Sequence, residues 1–316
     1  MIGVKGIKDR YLMEDHLENK WWVGPTLQAN GSILRRLITE YPLLGYFVLS
    51  YVASWIFFGP FVYLWRVVLD RSFEPWLLVF FPGAYGPTIA ALLMIYALEG
   101  KRGIKQLLAK LLIWRAPWMW YLGVILVPIV LLMLAIGLSD FRETALAMFM
   151  PGSLLAAIPL YLLIALPFGP LGEELGWRGF ALPRLQARFS PLVSSLILGV
   201  AWTFWHTPMF WFPGAAIPSF LEISLFSVLL YLAQITAEAI LFTVVFNYTR
   251  GSVLIAIVFH LTFNASKNIL FSALPEPSSA HQLEIYIWGI ILMWILALVS
   301  VFFLSRRRVV SSQVGA

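Results

Sequence analysis

The chain has 316 residues, 60% of them hydrophobic, 16% aromatic and only 12% charged. A soluble domain of this size is about a quarter charged, so much of this surface must meet something other than water. The absence of cysteine excludes disulfides, thiolate metal ligands and a cysteine nucleophile. The net charge of +6 suits contact with anionic lipid head groups and does not point to nucleic acid.

Residues 1–40 are mixed in charge, lack a continuous apolar core and do not read as a cleaved signal peptide. They form a polar lead in which Trp21 and Trp22 suit a membrane interface. Apolar segments long enough for a span of about 20 residues then follow, at roughly 41–65, 76–98, 118–138, 153–173, 192–213, 224–246, 252–273 and 285–305. The predicted fold is all-α, a polytopic membrane protein with about eight transmembrane helices. Pro167 and Pro170 interrupt the fourth segment and predict a kink there. Between the second and third segments, Ile104, Leu107, Leu108, Leu111 and Leu112 recur at helical spacing with lysines opposite. That pattern predicts an amphipathic helix lying on the membrane over Lys101–Trp114. Residues 41–305 read as one domain, followed by a basic tail at 306–316.

With eight spans and a cytoplasmic N-terminus, eighteen of the 22 Lys and Arg fall on the cytoplasmic side. Arg66, Arg71 and Arg142 fall on the other side, and Lys267 lies within a span. Basic residues mark cytoplasmic loops, so both termini are expected in the cytoplasm of a cell-membrane protein.

Ionisable groups inside spans are costly and mark functional sites. The stretch GPLGEELGWRGF carries Glu173, Glu174 and Arg178. Glu174 and Arg178 are four apart and face each other on a helix, which predicts a supporting ion pair and leaves Glu173 less encumbered. Trp202 and His206 are four apart in VAWTFWHTPMF, as are His260 and Asn264 in VFHLTFNAS. Positions 173 and 206 are equidistant from the turn near 188–191, so two helical arms bring them to the same depth. There a carboxylate and an imidazole can share a water, while a His and an Asn can polarise a carbonyl oxygen. His260 lies closer to its own turn, which requires the Glu173 hairpin to project further or to be kinked. The bland alternatives are a helix-end salt bridge and interhelical hydrogen bonds. Gln234 and Glu238 are also four apart, and Glu238 matches His260 in depth as a candidate supporting residue. Lys267, seven after His260, reaches the same face or snorkels to the interface.

E-E-x-x-x-R, an aromatic four residues before a His, and H-x-x-x-N, in this order on separate spans, resemble the CPBP intramembrane proteases. That family includes CAAX prenyl-protein endopeptidases and bacteriocin-processing and immunity proteins. The resemblance implies an endopeptidase with a cavity open to the cytoplasm. In it Glu173 and His206 activate water, His260 and Asn264 stabilise the oxyanion, and Glu174, Arg178 and Trp202 support the site. Trp202 stands where the usual motif has Phe, which predicts altered packing with the chemistry kept. The implied partners are membrane lipids and a peptide or protein substrate, prenylated or bacteriocin-like. Members are often labelled metalloproteases. A divalent ion such as zinc would fall to Glu173, His206 and His260, but H-E-x-x-H is absent and metal-free water activation is the preferred reading. Other readings are a non-catalytic immunity or interaction protein, a transporter using Glu238, and a cytochrome with His206 and His260 on haem.

Overall fold

The computed structural model describes residues 38–62, 82–212 and 214–304. The Trp21–Trp22 pair, most of the lead at 1–40, the tail at 306–316, Arg66 and Arg71 lie outside the described residues. The chain divides into Met1–Pro42 and Leu43–Ala316, and the second unit carries the helical bundle.

Among the described residues the architecture is all-α. The principal helices are α1 (Pro42–Val62), α2 (Gly86–Ala109), α3 (Trp118–Leu138), α4 (Leu154–Ala165), α5 (Pro170–Gly176), α6 (Leu182–Gln186), α7 (Pro191–Trp205), α8 (Leu225–Tyr248), α9 (Val253–Phe271) and α10 (Ser279–Leu304). A π-helical turn, Trp177–Ala181, joins α5 to α6.

Five of these helices are long and apolar enough to cross a membrane: α1, α3, α8, α9 and α10. A sixth span results if the stretches Pro151–Ala165 and Pro170–Gln186, bent by 45°, count as one. The expected eight are therefore not matched. The second expected span begins in residues outside those described, and α2 changes character at Gly100, whose φ of 64° breaks it. Beyond that break Gly103 and Leu107 are buried while Lys101, Arg102, Lys105 and Leu108 are exposed, as an amphipathic helix requires. The fifth falls short because α7 has 15 residues, about 22 Å of helix against a hydrocarbon core of about 30 Å.

Close approach of backbones sets the packing around α5. A Cβ on Gly172 would stand 2.5 Å from the Ala84 carbonyl oxygen, and one on Gly176 would stand 2.4 Å from that of Pro87. These glycines, one turn apart, form the flat seam on which α2 and α5 meet, as small residues do where membrane helices touch. Gly199 of α7 lies likewise against the backbone of Thr236 in α8, where a Cβ would stand 2.8 Å from its Cα. On the far side α8 packs against α7 and α10, and α9 against α3, α4 and α5. Phe242, Ile255, Ala256 and Phe259 lie at the centre of the apolar core between α3, α8, α9 and α10. The polar stripes of α5, α7, α8 and α9 thus meet inside the bundle.

Candidate active site

The break before α5 builds the first half of the site. Gly169 and Pro170 open the helix after the turn at Leu166–Gly169, and the Glu173 N–H closes the first turn on the Gly169 carbonyl at 2.8 Å. Proline suits this position because its missing N–H has no helical partner to lose. The bend fits the kink expected from Pro167 and Pro170.

Glu173 is buried in the first turn of α5. Its Oε2 accepts from the Trp202 indole N–H at 2.6 Å and from that of Trp177 at 3.3 Å. One carboxylate oxygen is thereby held, so Glu173 is more encumbered than its spacing suggested. Its Oε1 points elsewhere: a Cβ built on Gly169 would lie 3.2 Å from Glu173 Oε1, 3.2 Å from Asn264 Nδ2 and 3.5 Å from His260 Nε2. Three polar atoms from α5 and α9 thus surround a single point that glycine leaves open.

Glu174 shares its Oε1 between Arg178 Nη1 and His260 Nδ1, each at 2.7 Å. The ion pair expected from the i,i+4 spacing is present and fully buried. The bond to His260 is additional. It holds the ring through Nδ1 and turns Nε2 toward the open point. The Arg178 guanidinium lies over the Trp202 and Phe242 rings, 4.4 and 4.1 Å from their centroids, which supports a desolvated cation from its faces.

His206 is positioned by the end of α7. Its backbone N–H bonds to the Thr203 carbonyl at 3.1 Å as the helix tightens. The Trp202 carbonyl is left for the ring, and His206 Nδ1–H donates to it at 2.7 Å. With Nδ1 so used, Nε2 is the acceptor of the neutral ring. Trp202 therefore links two site residues, through its indole to Glu173 and through its carbonyl to His206. Its ring also meets that of His260 edge-on at 5.4 Å. Trp205 and Tyr231 enclose His206, with ring centroids 4.7 and 5.5 Å away.

Glu238 is buried in α8 and accepts from Gln234 Nε2 at 2.8 Å, while Gln234 Oε1 accepts from the Tyr286 hydroxyl at 2.8 Å. The partner of His260 Nδ1 is thus Glu174, and Glu238 belongs to a neighbouring chain of bonds. Lys267 is exposed, with Nζ 5.6 Å from the Phe220 ring centroid.

Among the described residues no three His, Asp or Glu side chains gather closely enough to hold a metal ion. Glu173, His206 and His260 therefore do not fit the zinc alternative as a ligand set, since zinc needs its donors about 2 Å from one centre.

Sequence reasoning did not single out Trp177, Gly169, Phe242 or Tyr231. Trp177 was within reach, four residues after Glu173. Gly169 gives no signal in the chain, because its role lies in what surrounds it.

A comparison with known protein families falls on this region. Residues 155–266, which contain every polar group of the site from Glu173 to Asn264, match the family model for Type II CAAX prenyl endopeptidase Rce1-like proteins. The chain is also 32% identical over 98 residues to CAAX prenyl protease 2 of Methanococcus maripaludis. That match covers 31% of this chain and 36% of the relative's own length. Both comparisons thus find similarity to CAAX prenyl proteases, as the resemblance implied.

Proposed function

We propose that this chain is an intramembrane endopeptidase in which Glu173 is the general base for a water held among Glu173 Oε1, His260 Nε2 and Asn264 Nδ2, on the side of Gly169 that lacks a side chain. The observation that carries this reading is the convergence of these three atoms within 3.5 Å of the position a Cβ on Gly169 would take. A water there donates one proton to Glu173 and its oxygen attacks the peptide carbonyl carbon. His206, with Nδ1 tied to Trp202, orients the water through Nε2. Asn264 Nδ2 and the Nε2–H of His260, held as the imidazolium by its Nδ1–H bond to Glu174, stabilise the developing oxyanion, as preorganised donors do in acyl transfer. Collapse of the tetrahedral intermediate breaks the C–N bond, and the departing amine takes the proton back from Glu173. Glu174 and Arg178 act as a buried frame that fixes His260.

The substrate in this reading is a membrane-associated peptide or protein, and the names of the matching family and relative favour a prenylated one. A cavity reached from the cytoplasm agrees with the weight of Lys and Arg on that side and with His260 lying seven residues from the start of α9. The metal-free course of the reaction rests on the spacing of the donors.

Purified protein in lipid vesicles, supplied with a prenylated peptide flanked by a fluorophore and quencher, tests the proposal. Glu173→Gln, His206→Ala and His260→Ala are each expected to lower kcat by about a thousandfold or more, and Asn264→Ala by about a hundredfold, the scale of a lost oxyanion donor. Cleavage that persists in the first three variants, with each folded as judged by detergent gel filtration, would overturn the reading.

A further inference from the structure

The turn between α8 and α9 holds an arginine where a helix end ordinarily places glycine. The Gly251 N–H bonds back to the Phe246 carbonyl at 2.9 Å and closes the end of α8. Such a closure needs a left-handed residue just before the donor, most often glycine. Here that residue is Arg250, at φ 60°, and Gly251 follows at φ 76°. A Cβ strains this conformation. The side chain does not repair the strain within the protein: Arg250 is exposed and, among the described residues, forms no ion pair. Strain of this kind persists where the side chain has a use.

A second arginine stands at the same corner. Ser252, two residues after Arg250, donates its hydroxyl to the Ile113 carbonyl at 2.5 Å, and Arg115 lies two residues beyond Ile113. Each arginine Cα is thus within about 7 Å of a residue joined by that bond, and the two long side chains can reach one anion. Arg115 is also exposed and without an ion pair among the described residues, its guanidinium carbon 5.4 Å from the Trp114 ring centroid. The Trp120 and Tyr248 rings meet at 5.5 Å, which sets the end of α8 level with the first turn of α3. At that level Trp114, Trp118 and Leu112 are exposed. Indole rings gather at the depth of lipid head groups, so the two guanidiniums stand where a membrane presents its phosphates.

We infer that Arg115 and Arg250 form a binding site for an anionic phospholipid, whose phosphate is held between the two guanidiniums. Guanidinium forks match phosphate oxygens, and basic pockets between membrane helices take such head groups. Two cations with no carboxylate between them favour a head group of net negative charge over a zwitterion, which would bring a cation of its own. The occupant is a lipid and not free phosphate because Trp118 and Leu112 offer apolar surface that only acyl chains can cover. The bound lipid would join the amphipathic segment of α2 to the start of α9. The assignment does not depend on the chemistry at Glu173.

Purified full-length protein in neutral detergent, titrated with dioleoyl phosphatidylglycerol or dioleoyl phosphatidylcholine and read by native mass spectrometry, tests the site. Phosphatidylglycerol is expected to bind about tenfold or more tightly than phosphatidylcholine. Arg115→Gln and Arg250→Gly are each expected to weaken phosphatidylglycerol about tenfold, the scale of a lost charge-assisted bond, and to leave phosphatidylcholine unchanged. Lys101→Gln, which removes an exposed cation elsewhere on the amphipathic segment, is expected to change neither. Glycine suits the left-handed position, so Arg250→Gly is expected to raise the thermal midpoint without lipid by about 2 °C while losing the lipid. Misfolding then cannot account for the loss. Equal binding of the two lipids overturns the proposal. A loss in Lys101→Gln as large as in the arginine variants means a diffuse field and overturns the site. Inorganic phosphate that displaces phosphatidylglycerol at equal concentration overturns the assignment to a lipid.

Discussion

At the scale of single residues, Trp202 carries more than its place in the motif suggests. A phenyl ring would fill only part of the buried space that the indole takes. It has no N–H to give Glu173 Oε2, where the indole donates at 2.6 Å. The substitution of Trp for the usual Phe therefore adds a bond to the proposed base and does more than alter packing. Trp202→Phe is expected to lower kcat by about tenfold, the scale of one hydrogen bond to a charged group, with KM little changed and a modest fall in the thermal midpoint in detergent from the smaller buried ring. A loss shared equally by stability and kcat would make the bond structural only. The i,i+4 pairs were legible in the sequence because helical spacing alone brings Glu174 to Arg178 and places His260 and Asn264 on one face. The reach of Glu174 to His260, 86 residues away, was not legible, since it depends on how α5 bends.

At the scale of elements, that bend and the π-turn after it decide the site. Pro183 cannot donate to the Gly179 carbonyl four residues earlier, and Lys110 Nζ fills the gap at 2.6 Å. Arg184 completes the clasp, donating to Glu99 Oε1 at 2.7 Å and to the Phe180 carbonyl at 3.3 Å. Ser252, which caps α9, donates its hydroxyl to the Ile113 carbonyl at 2.5 Å. The amphipathic segment thus ties together the helices that carry Glu173 and His260. Its existence was readable from apolar periodicity; its fastening was not, because lysine on the polar face of such a helix ordinarily points to solvent. Burial and the Arg184 charge push the Lys110 ammonium down from 10.5 to about 8. Between those values the unfolded chain binds the proton and the folded chain does not, so stability rises as pH increases from about 8 to about 10.5. Thermal unfolding across that range is expected to show the rise in the unaltered protein and its loss in Lys110→Met.

At the scale of the whole molecule, composition and hydropathy indicated an all-α chain with several membrane helices, and five or six of the eight expected spans are matched among the described residues. Hydropathy measures apolar character and not helix length: α7 is apolar on its exposed face too, at Val193, Leu196, Val200 and Phe204, but has only 15 residues. Charge asymmetry predicts the orientation, and the chain's lack of cysteine makes it directly measurable. Single cysteines at Glu143, whose side chain is 86% exposed between α3 and α4, and at Ser312 in the basic tail can be labelled with a membrane-impermeant maleimide. In intact cells Glu143→Cys is expected to label and Ser312→Cys to label only after lysis; the reverse pattern would invert the topology.

The open point beside Gly169 also makes this a site that a single methyl group can obstruct. Alanine there would set its Cβ 3.2 Å from Glu173 Oε1 and Asn264 Nδ2, a crowding that side-chain tips relieve by moving a few tenths of an ångström. The methyl would then narrow the space between these three polar groups in which the proposed water must fit. Gly169→Ala is expected to give a protein with a normal melting profile and no measurable turnover, leaving every polar side chain of the site in place and the space between them narrowed.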